Sequence, residues 1–339
     1  MLFRGPYRLA GVLLIFLVVN VFTVFFFTQH QLDQGESYTH QLLSKSLLIT
    51  SLQQELKQTK AELQNLTELL TQKQTRVNVN FPTIYVITPT YQRWTQKADL
   101  LRLCMTLMHV PKLHWILVED SDQQTRLVTR LLSGIESCKI DKSTQLNVRT
   151  PEQMRLSENE PKWKKNRGVE QRNLAIDWLR ERQAGDGLNE KGVVYFGDDD
   201  NTYDPVLFEE MRYTTTVSVW LVGITGGLRF EGPLCKDGHV TGWYAEWGTT
   251  RKFPIDMAGF AVNLDLLVSK PTAYINPKAL RGNLESSLLE HLVTKEELEG
   301  RPLDCKKVMV WHTRTEKPKM KQEDQLIQQG KPSNPHIEV

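Results

Sequence analysis

The chain has 339 residues, a formal net charge of +2, 40% hydrophobic and 24% charged residues. That length holds one large or two modest domains, and the composition is that of a globular protein. The near-neutral balance argues against a nucleic-acid partner, so any anion site must come from a local basic cluster.

Residues 9–27, LAGVLLIFLVVNVFTVFFF, carry no charge. As a helix they would span about 28 Å, close to the thickness of a bilayer core. Arg4 and Arg8 precede the run, while Asp33 and Glu36 follow it. The positive-inside rule then puts a short tail, 1–8, in the cytoplasm and everything after residue 28 across the membrane. A cleaved signal peptide would need a shorter apolar run and a small-x-small site; Phe25-Phe26-Phe27-Thr28-Gln29 is a poor one. The reading is an uncleaved signal anchor over 9–28.

Residues 29–80 are rich in Gln, Leu, Lys and Glu. Leu42, Ile49, Leu52, Leu56, Leu63, Leu66 and Leu70 follow a 3-4 spacing, with Lys45 and Thr59 in the same register. This predicts about four heptads of coiled coil, a stem that pairs two copies. A loose helical linker is the plainer alternative. Asn65-Leu66-Thr67 is a glycosylation sequon, usable only if the stem is lumenal.

The folded head is expected from Phe81. Thr83–Thr88 reads as a strand broken by Pro89, Gln96–Val110 as an amphipathic helix, and Leu113–Val118 as a second strand. Together they make a βαβ unit. A helix over Leu127–Leu132, a strand over Gln145–Val148 and a helix over Val169–Gln183 continue the alternation. No GxGxxG follows the first strand, which excludes a dinucleotide fingerprint. Further strands are expected at Val217–Ile224, Gly227–Phe230, Ala258–Leu264 and Val308–Trp311, with a helix over Asn283–Val293. The fold class is α/β with a mixed central sheet. Cys104, Cys138, Cys235 and Cys305 form no CxxC pair, which argues against a zinc site. They allow disulfides in an oxidising compartment and leave the pairing open.

The chemistry concentrates at Val193-Val194-Tyr195-Phe196-Gly197-Asp198-Asp199-Asp200. A buried apolar strand ends in three carboxylates. Each neighbouring pair costs about 1 kcal/mol in water and more where water is excluded. A divalent cation removes that cost, and α/β sheets bind ligands at this end of their strands. A solvated acidic turn is the bland alternative.

From about Pro82 onward, the segments PTIYVITPTYQR, LHWILVED, RGVEQRN, VVYFGDDDNTY, GGLRFEGP, PIDMAGFAVNL, RGNLESSLLEHL and VWHTRTEKPKMKQE occur in order. In them the chain resembles the β-1,3-glucuronosyltransferases. WHTRTEKPKMKQE and Trp247 look most like the members that finish the proteoglycan linkage region.

The resemblance implies a type II Golgi membrane enzyme with a lumenal GT-A (Rossmann-like nucleotide-sugar) head. It implies inverting, Mn²⁺-dependent transfer from UDP-glucuronate to the 3-hydroxyl of the terminal galactose of Gal-Gal-Xyl. Two rivals stand beside it: a sister enzyme acting on Gal-GlcNAc ends, and an inactive glycan-binding protein. Residues 81–200 would form the donor half and 201–339 the acceptor half.

Residue by residue, the resemblance makes Asp200 the metal ligand, with Asp199 and Asp198 serving the ribose and the metal's outer shell. Oxygen ligands suit Mn²⁺ or Mg²⁺ alike. Pro89, Thr90, Tyr91 and Asp120 would hold the uracil. Arg167 and Arg172 would reach the donor, His312 and Arg314 its phosphates, and Asp256 the glucuronic acid. Arginine suits such a donor because it binds phosphate and carboxylate through two parallel hydrogen bonds. Glu285 matches the base that takes the acceptor's proton. Glu231, Trp247 and Arg251 would form the acceptor side, and Gln322 would reach across a homodimer.

Overall fold

The computed structural model describes residues 13–21, 48–67, 81–134, 138–156, 160, 164–185, 190–246 and 251–334. The chain divides into two compact units, Met1–Arg76 and Val77–Val339. In the first, residues 13–21 form helix α1 and residues 48–67 form helix α2. Asn20 donates to the Phe16 carbonyl at 2.8 Å, so the one polar side chain of α1 is satisfied within its own helix. Among the described residues no helix is long and apolar enough to cross a membrane. The rest of the expected anchor, like Leu42 and Leu70 of the heptad pattern, lies outside the described residues. Ile49, Leu52, Leu63 and Leu66 of that pattern are exposed on α2, as is Asn65.

The second unit is built on a mixed sheet. Strands β1 (Thr83–Thr90), β2 (Leu113–Glu119), β3 (Lys142–Asn147) and β4 (Gly192–Phe196) are mutually parallel in the order β3-β2-β1-β4. Helices α3 (Gln96–Leu107), α4 (Arg126–Leu132) and α5 (Val169–Gly185) make the crossovers. The chain therefore moves outward from β1 to β3 and returns on the other side of β1 with β4. That reversal opens a crevice beyond the carboxyl ends of β1 and β4, where such sheets take their ligands.

Beyond β4 the sheet turns antiparallel through β10 (Phe260–Asn263), then β6 (Val217–Val219). It continues through β11 (Leu298–Gly300), β9 (His239–Tyr244) and β8 (Phe230–Lys236) to β7 (Val222–Gly223), β12 (Val310–Trp311) and β5 (Thr202–Tyr203), with helix α6 (Val206–Met211) after β5 and α7 (Leu264–Ser269) after β10. Both halves of the head thus share one sheet. Period-2 alternation splits the core: Tyr85 and Ile87 face one apolar cluster with α5, while Ile84 and Val86 face the other with α3.

Several expectations shift by local physics. β1 does not stop at Pro89 but pairs with β2 through Thr90. Pairing to β4 ends at Ile87, so proline's missing N–H falls where only β2 flanks the strand. The run expected as one strand over Val217–Ile224 is two, β6 and β7, with Trp220 between them donating its backbone N–H to Gly259 at 3.0 Å. The expected helix over Asn283–Val293 is α8, Leu284–Leu289 only, and the polar tail contains α9, Lys321–Gln328. The cysteines pair as Cys104–Cys138 and Cys235–Cys305. The first bond ties α3 to the segment before β3, the second β8 to the turn after β11.

Candidate active site

The aspartate triplet follows β4 directly, and each acid meets a different environment. Asp199 is buried, accepts from Thr90 Oγ1 at 2.7 Å and pairs with Arg93 at 2.7 Å. Burial pushes its pKa up to about 6 against the pull of Arg93 and Thr90. Asp198 pairs with Arg172, at the start of α5, whose Nη1 also donates to the carbonyls of Arg167 and Gly168 at 3.2 and 3.1 Å. Asp200 makes no side-chain hydrogen bond among the described residues. Burial, then the Asp198 charge, raises its pKa. Its carbonyl is fixed instead, by Thr313 Oγ1 at 2.7 Å and Arg102 at 3.3 Å.

Those environments test the expected cation. Among the described residues no group of three or more His, Cys, Asp or Glu forms a ready-made cage. Two acids of the triplet are already neutralised by arginine, and Asp200 alone keeps a carboxylate for an external charge. A hard divalent ion held by Asp200 and completed by oxygens of a phosphate-bearing substrate fits this donor set.

Pro89 and Thr90 end β1 beside the triplet, with Tyr91 half-exposed beyond them. Asp120, after β2, accepts from the Thr150 N–H at 2.8 Å and its Oγ1 at 2.7 Å, which fixes the carboxylate at the crevice edge.

Asp256 lies just before β10, where it meets Thr225 after β7 and His312 after β12. Its Oδ2 accepts from His312 Nδ1 at 2.9 Å and Thr225 Oγ1 at 3.0 Å, and its Oδ1 from the Ala258 N–H at 3.0 Å. Burial alone would raise its pKa, but the hydrogen bond and charge of His312 outweigh it and the carboxyl is held low. His312 is raised in turn, first by that hydrogen bond and against its own burial. Each group favours the charged form of the other, an arrangement that suits an anionic ligand beside His312.

Glu285 sits in the first turn of α8. The residue is partly accessible, yet its carboxyl is enclosed enough that burial is the largest influence on it. Burial and the Asp256 charge push it up to about 8, with Arg251 and Arg172 pulling the other way. A carboxyl poised near neutral pH suits proton transfer. Glu231 is buried on β8 and pairs with Arg251 at 2.5 Å, while Arg251 also donates to the Gly282 carbonyl at 3.4 Å, just before α8. Glu231 requires glycine at 226: a Cβ there would lie 2.0 Å from its Oε2, and the Gly226 φ is +62°.

The structure therefore brings together the turn after β1, the triplet, Arg172, Asp256, His312, Glu285, Glu231 and Arg251. Arg167 and Arg314 are exposed; Arg314 is near enough to lower the His312 pKa. Gln322 is exposed on α9, Asn65 belongs to the other unit, and Trp247 lies outside the described residues. Sequence reasoning missed Arg93, Thr225 and Gly226. Arg93 closes PTIYVITPTYQR, Gly226 opens GGLRFEGP and Thr225 stands just before it, so position in or beside a recognised motif was the available signal.

Residues 103–316 match glycosyltransferase family 43. A human protein named galactosylgalactosylxylosylprotein 3-beta-glucuronosyltransferase 3 is 57% identical over 267 residues, covering 76% of this chain and 78% of that protein. Its Drosophila melanogaster relative, galactosylgalactosylxylosylprotein 3-beta-glucuronosyltransferase I, is 46% identical over 76% of this chain and 84% of its own length. The human galactosylgalactosylxylosylprotein 3-beta-glucuronosyltransferase 1 is 47% identical over 76% and 75%. The UDP complex of S. aureus TarS 1-349 superposes with a TM-score of 0.43 at 15% identity, over 69% of this chain and 61% of that one, too slight a likeness to bear on the argument. These relatives agree with the resemblance read from the motifs. With the match over residues 103–316 and 57% identity to a named glucuronosyltransferase, this chain belongs to glycosyltransferase family 43 and is a glycosyltransferase.

Proposed function

We propose that the chain moves glucuronic acid from UDP-glucuronate to the 3-hydroxyl of the terminal galactose of Gal-Gal-Xyl, with inversion at the anomeric carbon. The observation that carries this is the arrangement around Glu285. Its carboxyl feels Asp256, Arg251 and Arg172, and Arg172 is itself bound to Asp198 of the triplet. A base and a nucleotide-binding crevice are thereby linked through one guanidinium.

In this reading Pro89, Thr90, Tyr91 and Asp120 receive the uracil, and Asp199 the ribose. His312, held charged by Asp256, and Arg314 bind the phosphates; Arg167 and Arg172 line the donor side. Asp200 holds Mn²⁺, which supplies neutralising charge to the diphosphate when bound. Glu231, Arg251 and Trp247 orient the galactose. Glu285 takes the proton from its 3-hydroxyl as that oxygen attacks the anomeric carbon. The bond from that carbon to the diphosphate oxygen breaks, and its electron pair leaves with UDP on the opposite face.

The head has a GT-A arrangement, with 81–200 serving the donor and 201–339 the acceptor. The uncharged run over 9–28 anchors it as a type II Golgi membrane protein, and α2 and its flanks form the stem. Two copies pair, and Gln322 on the exposed face of α9 reaches the partner's acceptor. The test is transfer of glucuronate to Gal-Gal-Xyl and to Gal-GlcNAc, each with and without Mn²⁺. Faster turnover on Gal-GlcNAc assigns the chain to the sister activity instead, and no turnover on either assigns it to glycan binding.

A further inference from the structure

The turn between β1 and α3 and the first turn of α3 each carry a charged residue that none of these roles uses, Arg93 and Asp99. Asp99, in the first turn of α3, is fully buried. Its Oδ2 accepts from Arg93 Nη2 and Thr95 Oγ1, both at 2.9 Å. Its Oδ1 accepts from Thr315 Oγ1 at 2.5 Å and lies 3.1 Å from Arg102 Nη2. A carboxylate withdrawn from water needs such partners. Arg93 is nearly buried and works in three directions. Its Nη2 reaches Asp199 Oδ1 at 2.7 Å, its Nη1 donates to the Tyr91 carbonyl at 3.2 Å, and its guanidinium carbon lies 4.7 Å from the centre of the Tyr91 ring.

We propose that Arg93, locked in place by Asp99, is a positioning residue that sets Asp199 and the Tyr91 ring in fixed relation to receive the nucleoside of the donor. The proposal rests on the reading that the triplet and the turn after β1 bind UDP. A planar guanidinium can lie flat against an aromatic ring while its rigid fork donates in several fixed directions, a geometry that the compact lysine ammonium does not reproduce. Asp99 also reaches the far side of the triplet. Its partners Arg102 and Thr315 meet each other at 3.3 Å, and Arg102 donates to the Asp200 carbonyl at 3.3 Å. Thr313, two residues before Thr315, donates to the same carbonyl at 2.7 Å. One buried acid therefore holds Asp199 by its side chain and Asp200 by its backbone. An ion pair serving stability alone gains little over apolar packing, whereas one joining a ring, a ribose-side acid and a metal-side backbone defines a pocket.

The test uses the full chain and its Arg93→Lys, Asp99→Asn and Asp199→Asn variants, together with the Arg93→Lys/Asp199→Asn double variant. Calorimetry measures UDP binding with Mn²⁺ present, and steady-state assays separate donor KM from acceptor KM. Arg93→Lys and Asp99→Asn are expected to weaken UDP binding about tenfold or more, the scale of a charged hydrogen bond. Donor KM rises to match while acceptor KM stays within about twofold. In the Asp199→Asn background, Arg93→Lys adds less than about twofold, because its partner is already changed. Arg93→Lys keeps the positive charge beside Asp99 and Asp199, so the test stands even if Asp99→Asn does not fold. Wild-type UDP binding with Arg93→Lys unchanged, or equal changes in both KM values, would overturn the positioning role alone. A wild type that binds no UDP would overturn the donor-site reading on which it rests.

Discussion

Replacing Glu285 with glutamine separates chemistry from binding, and it does so with a stability signature. The native carboxyl titrates at about 8, against an ordinary value of 4.5. Between those values the folded chain keeps a proton that the unfolded chain has released. Stability from this group is thus complete below pH 4.5 and is lost as pH rises through about 8. At pH 7 the loss integrates to ~3 kcal/mol, reduced by whatever solvent reaches this partly accessible residue. Glutamine keeps the shape and carries no charge, so it avoids the loss. Thermal melts of the ligand-free chain should show Glu285→Gln several degrees above wild type at pH 7 to 8 and equal to it near pH 4. Transfer should fall by about 10²–10⁴, the scale of a lost general base, with UDP affinity unchanged. A variant that keeps its transfer rate refutes the base assignment. A melting difference independent of pH refutes the burial argument behind it.

Three further outcomes follow from the same geometry. Asp200→Ala should abolish the response of UDP affinity to Mn²⁺ in calorimetry while leaving the fold intact, because the other two acids keep their arginine partners. Arg251→Ala strips the partner from the buried Glu231, and denaturant melts should show a loss of about 3–5 kcal/mol near neutral pH, recovered in part by Glu231→Gln in the same chain. Replacing Cys104 and Cys138 together with serine opens a loop spanning 34 positions. Urea titration should register a loss of about 3–4 kcal/mol on the chain-entropy scale, with UDP affinity within about twofold of wild type.

Local signals showed where the site lies, and tertiary contacts showed how it is wired. The triplet was legible because an apolar strand running into three acids has few inexpensive explanations. The alternation up to β4 was legible from periodicity, and the residue roles came with the family resemblance. The contact between Thr90 and Asp199 was not legible: 109 positions separate them, and only the return of the chain beside β1 makes them neighbours. Asp99 was hidden for a different reason. An acid in the first turn of an amphipathic helix usually serves the helix dipole, and nothing local marks one that is instead buried. The break between β6 and β7 was invisible because both pieces are apolar, and their assignment to different parts of the sheet depends on β10 and β12. The disulfides stayed open because spacing does not determine pairing.

The central claim is the reaction itself, and acceptor competition tests it most directly. Purified chain is given UDP-glucuronate with Gal-Gal-Xyl and Gal-GlcNAc acceptors in parallel, with Mn²⁺ or with chelator. The account predicts Mn²⁺-dependent transfer to the terminal galactose of Gal-Gal-Xyl, and loss of that transfer in Glu285→Gln. Preferential glucuronylation of Gal-GlcNAc, or transfer that survives the chelator, would contradict it.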